Sequence, residues 1–216
     1  MAQQARAVET RRQIVVAAAN LFSRVGYERA RLNDIVGESG LTRGAIYFHF
    51  QSKDDLAAIV VDEFQATSMR AVGTIAQTDT YGMRQLVMLC REMGRLLVDD
   101  PVVRAGIRLI IELHSGEAPI PVYLAWIEAI KYFVTKAVED GDVPPDTDAE
   151  EAAVFVTESF VGAHVLSYAV SGHDDLPARI DRLADYLVTA LMPDERIAAR
   201  SDLLGARWTP PTEPGA

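Results

Sequence analysis

Apolar residues recur at helical spacing along almost the whole chain. From Thr10 they fall at Ile14, Ala17, Ala18, Leu21, Phe22 and Val25, one stripe at about 3.6 residues per turn. Gly26 predicts the end of that helix. A short second helix is predicted over Leu32–Ser39, closed by Gly40. A third starts behind Thr42, a good N-cap residue, and ends near Phe48. Ser52 is the predicted N-cap of a long helix from Lys53 to about Gly73, and Asp54 and Asp55 in its first turn suit the helix dipole. Further helices are predicted over 81–99, 101–113, 122–140, 148–170 and 175–191, with a short one after Pro193. Gly141, the pair Pro144-Pro145 and Gly172 separate them. The helix over 81–99 is apolar around most of its circumference, at Met83, Leu86, Val87, Leu89, Cys90, Met93, Leu96 and Leu97, so it should be central. No strand-like alternation of useful length and no internal repeat occur. The expected fold class is all-α, with about nine helices.

Composition adds a core: 49% of the 216 residues are apolar, too many for a wholly disordered chain. The formal charge of -10 argues against nucleic acid or an anionic membrane as partner, since both need clustered positive charge. Its distribution reverses that reading. Residues 1–53 carry eight basic and four acidic side chains, net +4, whereas residues 54–216 carry 13 basic and 27 acidic ones, net -14. A basic head on an acidic body predicts two parts with different partners. Cys90 is the single cysteine, which excludes an intrachain disulfide and a cysteine metal cluster and fits a reducing setting. Buried without a partner, its thiol reads as inert packing. Met1 to Arg12 is polar and lacks the apolar stretch of a secretory signal. No uninterrupted apolar run approaches the ~20 residues needed to span a bilayer. A soluble, cytoplasmic protein is expected, with a disordered Pro- and Gly-rich tail over 205–216.

Leu32 to Lys53 is the most informative stretch. A helix, a tight turn at Ser39-Gly40-Leu41 and a second helix behind Thr42 have helix-turn-helix spacing. Ile35 and Val36 pack the first helix. Gly44 and Ala45 at the start of the second let its backbone approach a groove. Arg43 and Tyr47, four residues apart, share a face and both donate to phosphate. His49 and Lys53 extend the donor set, and the N–H groups at helix starts suit anions. A small structural three-helix unit with solvated basic residues is the plainer alternative. The concentration of positive charge here favours DNA.

At these residues the chain resembles the TetR family of bacterial transcriptional repressors. The resemblance covers about residues 9–60: Thr10-Arg11, Ala17-Ala18-Ala19, Leu21-Phe22, Gly26-Tyr27, Asp34-Ile35, the string Gly40 to Phe50, and Lys53-Asp54-Asp55-Leu56. It implies that Thr42, Arg43, Gly44, Ala45, Tyr47, His49 and Lys53 lie at or near DNA. One departure is Arg31, where the family usually has Thr or Ser as N-cap of the second helix. Arg31 cannot cap in that way and is expected to add a phosphate contact. The family also implies a homodimer on a palindromic operator, with half-sites roughly 34–36 Å apart or a multiple. The helices over 148–170 and 175–191 have apolar stripes wide enough for a four-helix bundle between two subunits. The expected domains are a DNA-binding head over 1–53 and a ligand-binding and dimerisation body over 54–204.

The middle helices are apolar and aromatic with a few uncharged polar groups. Phe64, Gln65, Leu86, Leu89, Met93, Ile110, Trp126, Ile130, Phe133, Thr157 and Phe160 are candidates to line a cavity for an apolar ligand, although each taken singly also reads as plain core. Trp126 stands out because its ring stacks on flat molecules and its N–H donates. Tyr47-Phe48-His49-Phe50, the stretch Pro101 to Leu109 and Trp126 together resemble the γ-butyrolactone receptors of filamentous actinobacteria. That resemblance implies a small, neutral, diffusible ligand: a γ-butyrolactone, or a related butenolide or furan. An antibiotic or other apolar molecule is the alternative. No cofactor is expected.

Catalysis finds little support. His49, His114, His164 and His173 are scattered without metal-ligand spacing, and no HExxH, GxSxG, P-loop or GxGxxG motif occurs. A lactone hydrolase is therefore the least favoured reading. A protein that retains the head but acts only through protein partners is the remaining alternative of a different class.

Overall fold

The computed structural model describes residues 2–113, 121–200 and 202–209. Among the described residues it contains ten α-helices and no strand. They are α1 (Ala2–Val25), α2 (Leu32–Ser39), α3 (Arg43–His49), α4 (Lys53–Ala76), α5 (Gly82–Asp99), α6 (Pro101–Leu113), α7 (Pro121–Glu139), α8 (Ala149–Ser171), α9 (Leu176–Leu191) and α10 (Asp194–Ala199). The expected all-α class holds, with the short helix after Pro193 as the tenth. α1 begins earlier than its apolar stripe, because residues 4–9 are exposed and good helix formers such as Gln, Ala, Arg and Glu need no buried face to continue a helix. α4 runs three residues past Gly73, where a side chain would meet open space.

The predicted caps form. Thr42 Oγ1 accepts the Ala45 N–H at 3.2 Å. Ser52 Oγ accepts the Asp55 N–H at 3.0 Å while the Asp55 carboxylate accepts the Ser52 N–H at 3.1 Å, a reciprocal cap that satisfies two otherwise unpaired donors. α8 is capped as well, at a position the sequence reading did not mark: Asp148 accepts from Glu150 and Glu151.

The chain folds into two compact units, Met1–Met69 with Asp99–Ile120, and Arg70–Val98 with Pro121–Ala216. In the first, Ile14, Phe22, Ile35, Ile46, Phe50, Leu56 and Val60 form one core together with Val102, Ala105 and Leu109. The last three lie on one face of α6 at helical spacing, so α6 completes the core of the helix-turn-helix. Full burial of a side chain such as Ile46 or Phe22 contributes about 1.5–3 kcal/mol. Within the same unit α4 and α6 cross closely: a Cβ on Gly106 would stand 2.3 Å from the Phe64 Cβ.

In the second unit α5 is buried along most of its length, polar Gln85, Arg91 and Glu92 included. It is central, as its sequence predicts. A Cβ on Gly82 would lie 2.5 Å from the Ala137 backbone nitrogen, so the start of α5 rests directly on the α7 backbone. Buried polar groups there are satisfied. Gln85 Nε2 donates to the carbonyls of Ile75 and Thr78 at 3.1 and 3.0 Å. Lys136 Nζ donates to the Thr80 carbonyl at 2.7 Å and to Gln85 Oε1 at 2.9 Å. Arg91 donates to Asp181 at 2.8 Å and to the carbonyls of Leu204 and Ala206 at 2.6 and 2.8 Å. The expectation of disorder from Gly205 onward is thereby corrected at its start: Ala206 is buried and its carbonyl is held by α5. Residues 210–216 lie outside the described residues.

α8 is long and apolar enough, by length and composition, to cross a membrane. Counting uninterrupted apolar runs missed this, because isolated polar residues such as Glu158 and His164 break it up. Much of its apolar surface faces outward, at Phe155, Leu166 and Val170, and Tyr186 on α9 is 73% exposed.

Candidate nucleic-acid interface

The exposed face of α3 is organised by Ile46. That side chain is fully buried and pins α3 to the core of its unit. Thr42, Arg43, Gly44, Tyr47 and Phe48 are left exposed on the other side of the helix. Arg43 and Tyr47 meet as their spacing predicts: the guanidinium donates to the Tyr47 hydroxyl at 3.3 Å and lies 5.2 Å from its ring centroid. The pair presents a fixed cation and a hydroxyl together. A side chain at Gly44 would meet nothing within 4 Å, so the fold itself does not require glycine here; the space is on the outward side. Ala45 and His49 are half-buried. The His49 ring stands edge-on to Phe48 at 5.1 Å.

Arg31 sits at the N-cap of α2 in extended conformation, φ -116° and ψ 146°, with no side-chain cap bond. It is exposed, and the helix starts without it. Lys53 has a more particular place. Its Nζ donates to the Tyr27 carbonyl at 2.8 Å and lies 3.9 Å from the centre of the Tyr27 ring. An ammonium has three donors, so this contact orients the charge and leaves donors for another acceptor. The Tyr27 hydroxyl donates to Asp54, and that bond, with burial adding to it, pushes the phenol pKa up to about 12. Not every basic residue of the head is available in the same way: Arg24 is paired with Glu38 across α1 and α2 at 2.8 Å.

Sequence reasoning passed over Phe48, which at 82% exposure is the most exposed large apolar side chain of the head. The signal was a bulky ring on the polar side of a short amphipathic helix. It also passed over Glu112 and Arg108, whose partners lie 85 positions away in the chain, a separation no local pattern reveals.

The candidate pocket residues divide between the two units. Phe64, Gln65 and Ile110 belong to the first, and Leu86, Leu89, Met93, Trp126, Ile130, Phe133, Thr157 and Phe160 to the second. Phe64, Leu86, Leu89 and Phe133 are buried almost completely. Thr157 spends its hydroxyl on the Ala153 carbonyl at 2.8 Å. Gln65, Trp126 and Phe160 are half-buried. Tyr123, one turn before Trp126 on α7, is half-buried as well, and burial pushes its phenol pKa up. Sequence reasoning did not name it. His114 lies outside the described residues. Among the described residues no group of three or more metal-ligating side chains converges.

Residues 14–60 match the family model described as "Bacterial regulatory proteins, tetR family", and residues 81–193 match that of the "Tetracyclin repressor-like, C-terminal domain". The second match alone spans more than half of the chain. The chain belongs to the TetR family. Among its relatives is the A-factor receptor protein of Streptomyces griseus, 34% identical over 192 residues, which are 88% of this chain and 67% of that protein. A solved γ-butyrolactone receptor described as ArpA-like superposes with a TM-score of 0.80 at 33% identity, covering 93% of this chain and 96% of the other. CprB from Streptomyces coelicolor, solved in complex with its operator sequence, gives 0.78 at 31% identity over 93% and 96%. This TetR-family protein is thus a DNA-binding repressor of the helix-turn-helix type and not an enzyme. Regulators of the family bind operators, form dimers and bind small molecules.

Proposed function

We propose that this repressor holds a palindromic operator as a homodimer and is released by a small, neutral signal of the γ-butyrolactone or butenolide type. The observation that carries this reading is the likeness to γ-butyrolactone receptors over nearly the whole chain, ligand-binding half included. In this reading Arg31, Thr42, Arg43, Gly44, Ala45, Tyr47, His49 and Lys53 face the DNA. The exposed Arg43–Tyr47 pair and the inward anchor Ile46 support that orientation. Trp126 and the apolar residues grouped with it contact the ligand. The body over 54–204 binds ligand and partner, and the head over 1–53 binds DNA. The working place is the cytoplasm, where the operator is.

Release requires a ligand that favours the conformation unable to hold both half-sites. A thousandfold loss of operator affinity needs about 4 kcal/mol of differential binding. The deciding experiment is a DNA-shift assay with the protein's own upstream region, titrated with acyl-substituted γ-butyrolactones, butenolides and a panel of antibiotics. Release by the lactones at micromolar concentration is the expected outcome. Release by antibiotics alone would make the protein a drug sensor. Absence of a shift would remove the operator from the account.

A further inference from the structure

The turn after α1 is held from two sides. Gly26 ends α1 with φ +80°, and a Cβ there would stand 2.7 Å from Arg108 Nη2 and 2.8 Å from Glu112 Oε1. Both side chains belong to α6, one helical turn apart. Arg108 Nη1 donates to the Ser23 carbonyl at 2.9 Å, one of the last α1 carbonyls that lack a partner within the helix. Its Nε donates to Glu112 at 2.6 Å. The other Glu112 oxygen accepts the Tyr27 N–H at 2.6 Å. The carbonyl of Tyr27 accepts from Lys53 of α4, and its hydroxyl donates to Asp54. One residue is therefore bonded to α6 through its N–H and to α4 through its C=O and its phenol. It stands at the start of the turn that leads into α2 and on to the recognition helix.

We infer that Arg108 and Glu112 are positioning residues for operator recognition, setting the direction in which α2 and α3 leave α1 without touching DNA. Three features favour this over a simple brace. The bonds are charge-assisted and grip backbone at the helix end, so they fix direction as well as attachment. Attachment is already supplied by the apolar contacts of Val102, Ala105 and Leu109 in the shared core. The glycine at position 26 lets the ion pair lie flush against the chain, where any side chain would displace it. A loosened turn leaves the phosphate-binding side chains in place but lets the two heads of a dimer wander from the half-site spacing.

This assignment rests on operator binding as proposed above. The test uses the full-length protein, an operator recovered from random DNA by selection with the wild type, and a non-specific duplex of equal length. Glu112→Ala is expected to weaken operator affinity about tenfold, equivalent to about 1.4 kcal/mol, with non-specific affinity unchanged within about twofold because the phosphate contacts remain. Glu112→Gln keeps an acceptor for the Tyr27 N–H and should recover most of the loss. Active fractions are counted by stoichiometric titration, so that misfolding is not read as weak binding. Equal operator affinity of wild type and Glu112→Ala overturns the assignment. So does a parallel loss on both duplexes, which marks a folding brace. If Glu112→Ala does not fold, Arg108→Lys carries the test: it keeps the charge and loses the fork, and unchanged discrimination between the duplexes again overturns it. A wild type that does not discriminate operator from random DNA would instead refute operator binding itself.

Discussion

Arg43 and Tyr47 are bonded to each other on the exposed side of α3, yet as the DNA contacts proposed above they would act by different physics. A guanidinium on a phosphate releases counterions; a phenolic hydroxyl does not. Arg43→Ala should therefore weaken operator binding and lower the slope of log affinity against log salt by about 0.9. Tyr47→Phe should cost about 0.5–1.5 kcal/mol at every salt concentration, with an unchanged slope. Fluorescence-anisotropy titrations over a range of salt separate the two, and a slope change in Tyr47→Phe would mean that the hydroxyl acts only by orienting Arg43. Cys90 illustrates the opposite case, a residue with chemistry it cannot use. Burial pushes its thiol pKa up to about 12, and thiolate is the reactive form. Native protein should leave a thiol-disulfide reagent unreacted for hours, whereas urea-unfolded protein should react with one equivalent within minutes. Rapid reaction in the native state would place the thiol at an accessible surface. Cys90 was legible as packing because it sits within an apolar stripe. Lys53 was legible as basic but not as a partner of Tyr27, since nothing in local spacing tells a lysine which carbonyl it will meet.

Helix boundaries were readable at the capping residues, although Gly73 does not end α4. Thr42 and Ser52 accept the hydrogen bonds their side chains predict, and Gly40 and Gly172 close α2 and α8 in left-handed conformation. What a helix packs against was much less readable. α6 carries an ordinary apolar stripe, and only the fold assigns it to the core of the helix-turn-helix. Two glycines in helices sharpen the point. Gly82 lies against the α7 backbone, so Gly82→Ala should destabilise by about 1–3 kcal/mol through overpacking. Gly73→Ala, in open space, should stabilise by about 0.5–1 kcal/mol. Urea unfolding of the two variants should give shifts of opposite sign, and equal shifts would show that α5 does not rest on α7. The α8–α9 corner makes a prediction about pH. His164 is buried with its Nδ1 3.3 Å from His173 Nε2, and burial, aided by the His173 charge, lowers its pKa to about 4. The unfolded chain binds that proton near the usual His value of about 6.5, so the unfolded state holds more protons between pH 4 and 6.5. Stability should rise with pH across that window, by an amount on the order of 3 kcal/mol, and level off above it. Asp175, held well below the usual carboxylate range by Arg179, Ser167 and Ser171, adds its loss at lower pH still. His164→Leu, if it folds, should flatten the slope between pH 4 and 6.5; an unchanged slope would assign the titration elsewhere.

At the scale of the whole molecule the decisive feature is an apolar surface that no described residue of the chain covers. Phe155, Leu166 and Val170 on α8 and Tyr186 on α9 are at least half exposed, in a helix apolar enough to pass for a membrane span. The body, with net charge -14, disfavours an anionic bilayer against that surface and favours a second subunit as its cover. A stripe pattern alone could not decide this, because a stripe facing its own core and one facing a partner's have the same period. The dimer we propose would resolve it: a four-helix interface in which two copies of α8 and α9 bury each other's stripes. In that proposal it would also set the spacing of the heads, since a two-fold axis is what relates two half-sites. Leu166→Asp places a charge at the centre of that surface. Light scattering should give a dimer for the wild type and a monomer for the variant at micromolar concentration. Operator affinity should fall at least a hundredfold, because a single head retains its phosphate contacts but loses the second half-site, while affinity for random DNA changes little. Thermal unfolding at fixed concentration should also come earlier for the variant, since partner binding stabilises by mass action. A variant that remains a dimer with full operator affinity would move the interface off α8 and leave its apolar face without a role.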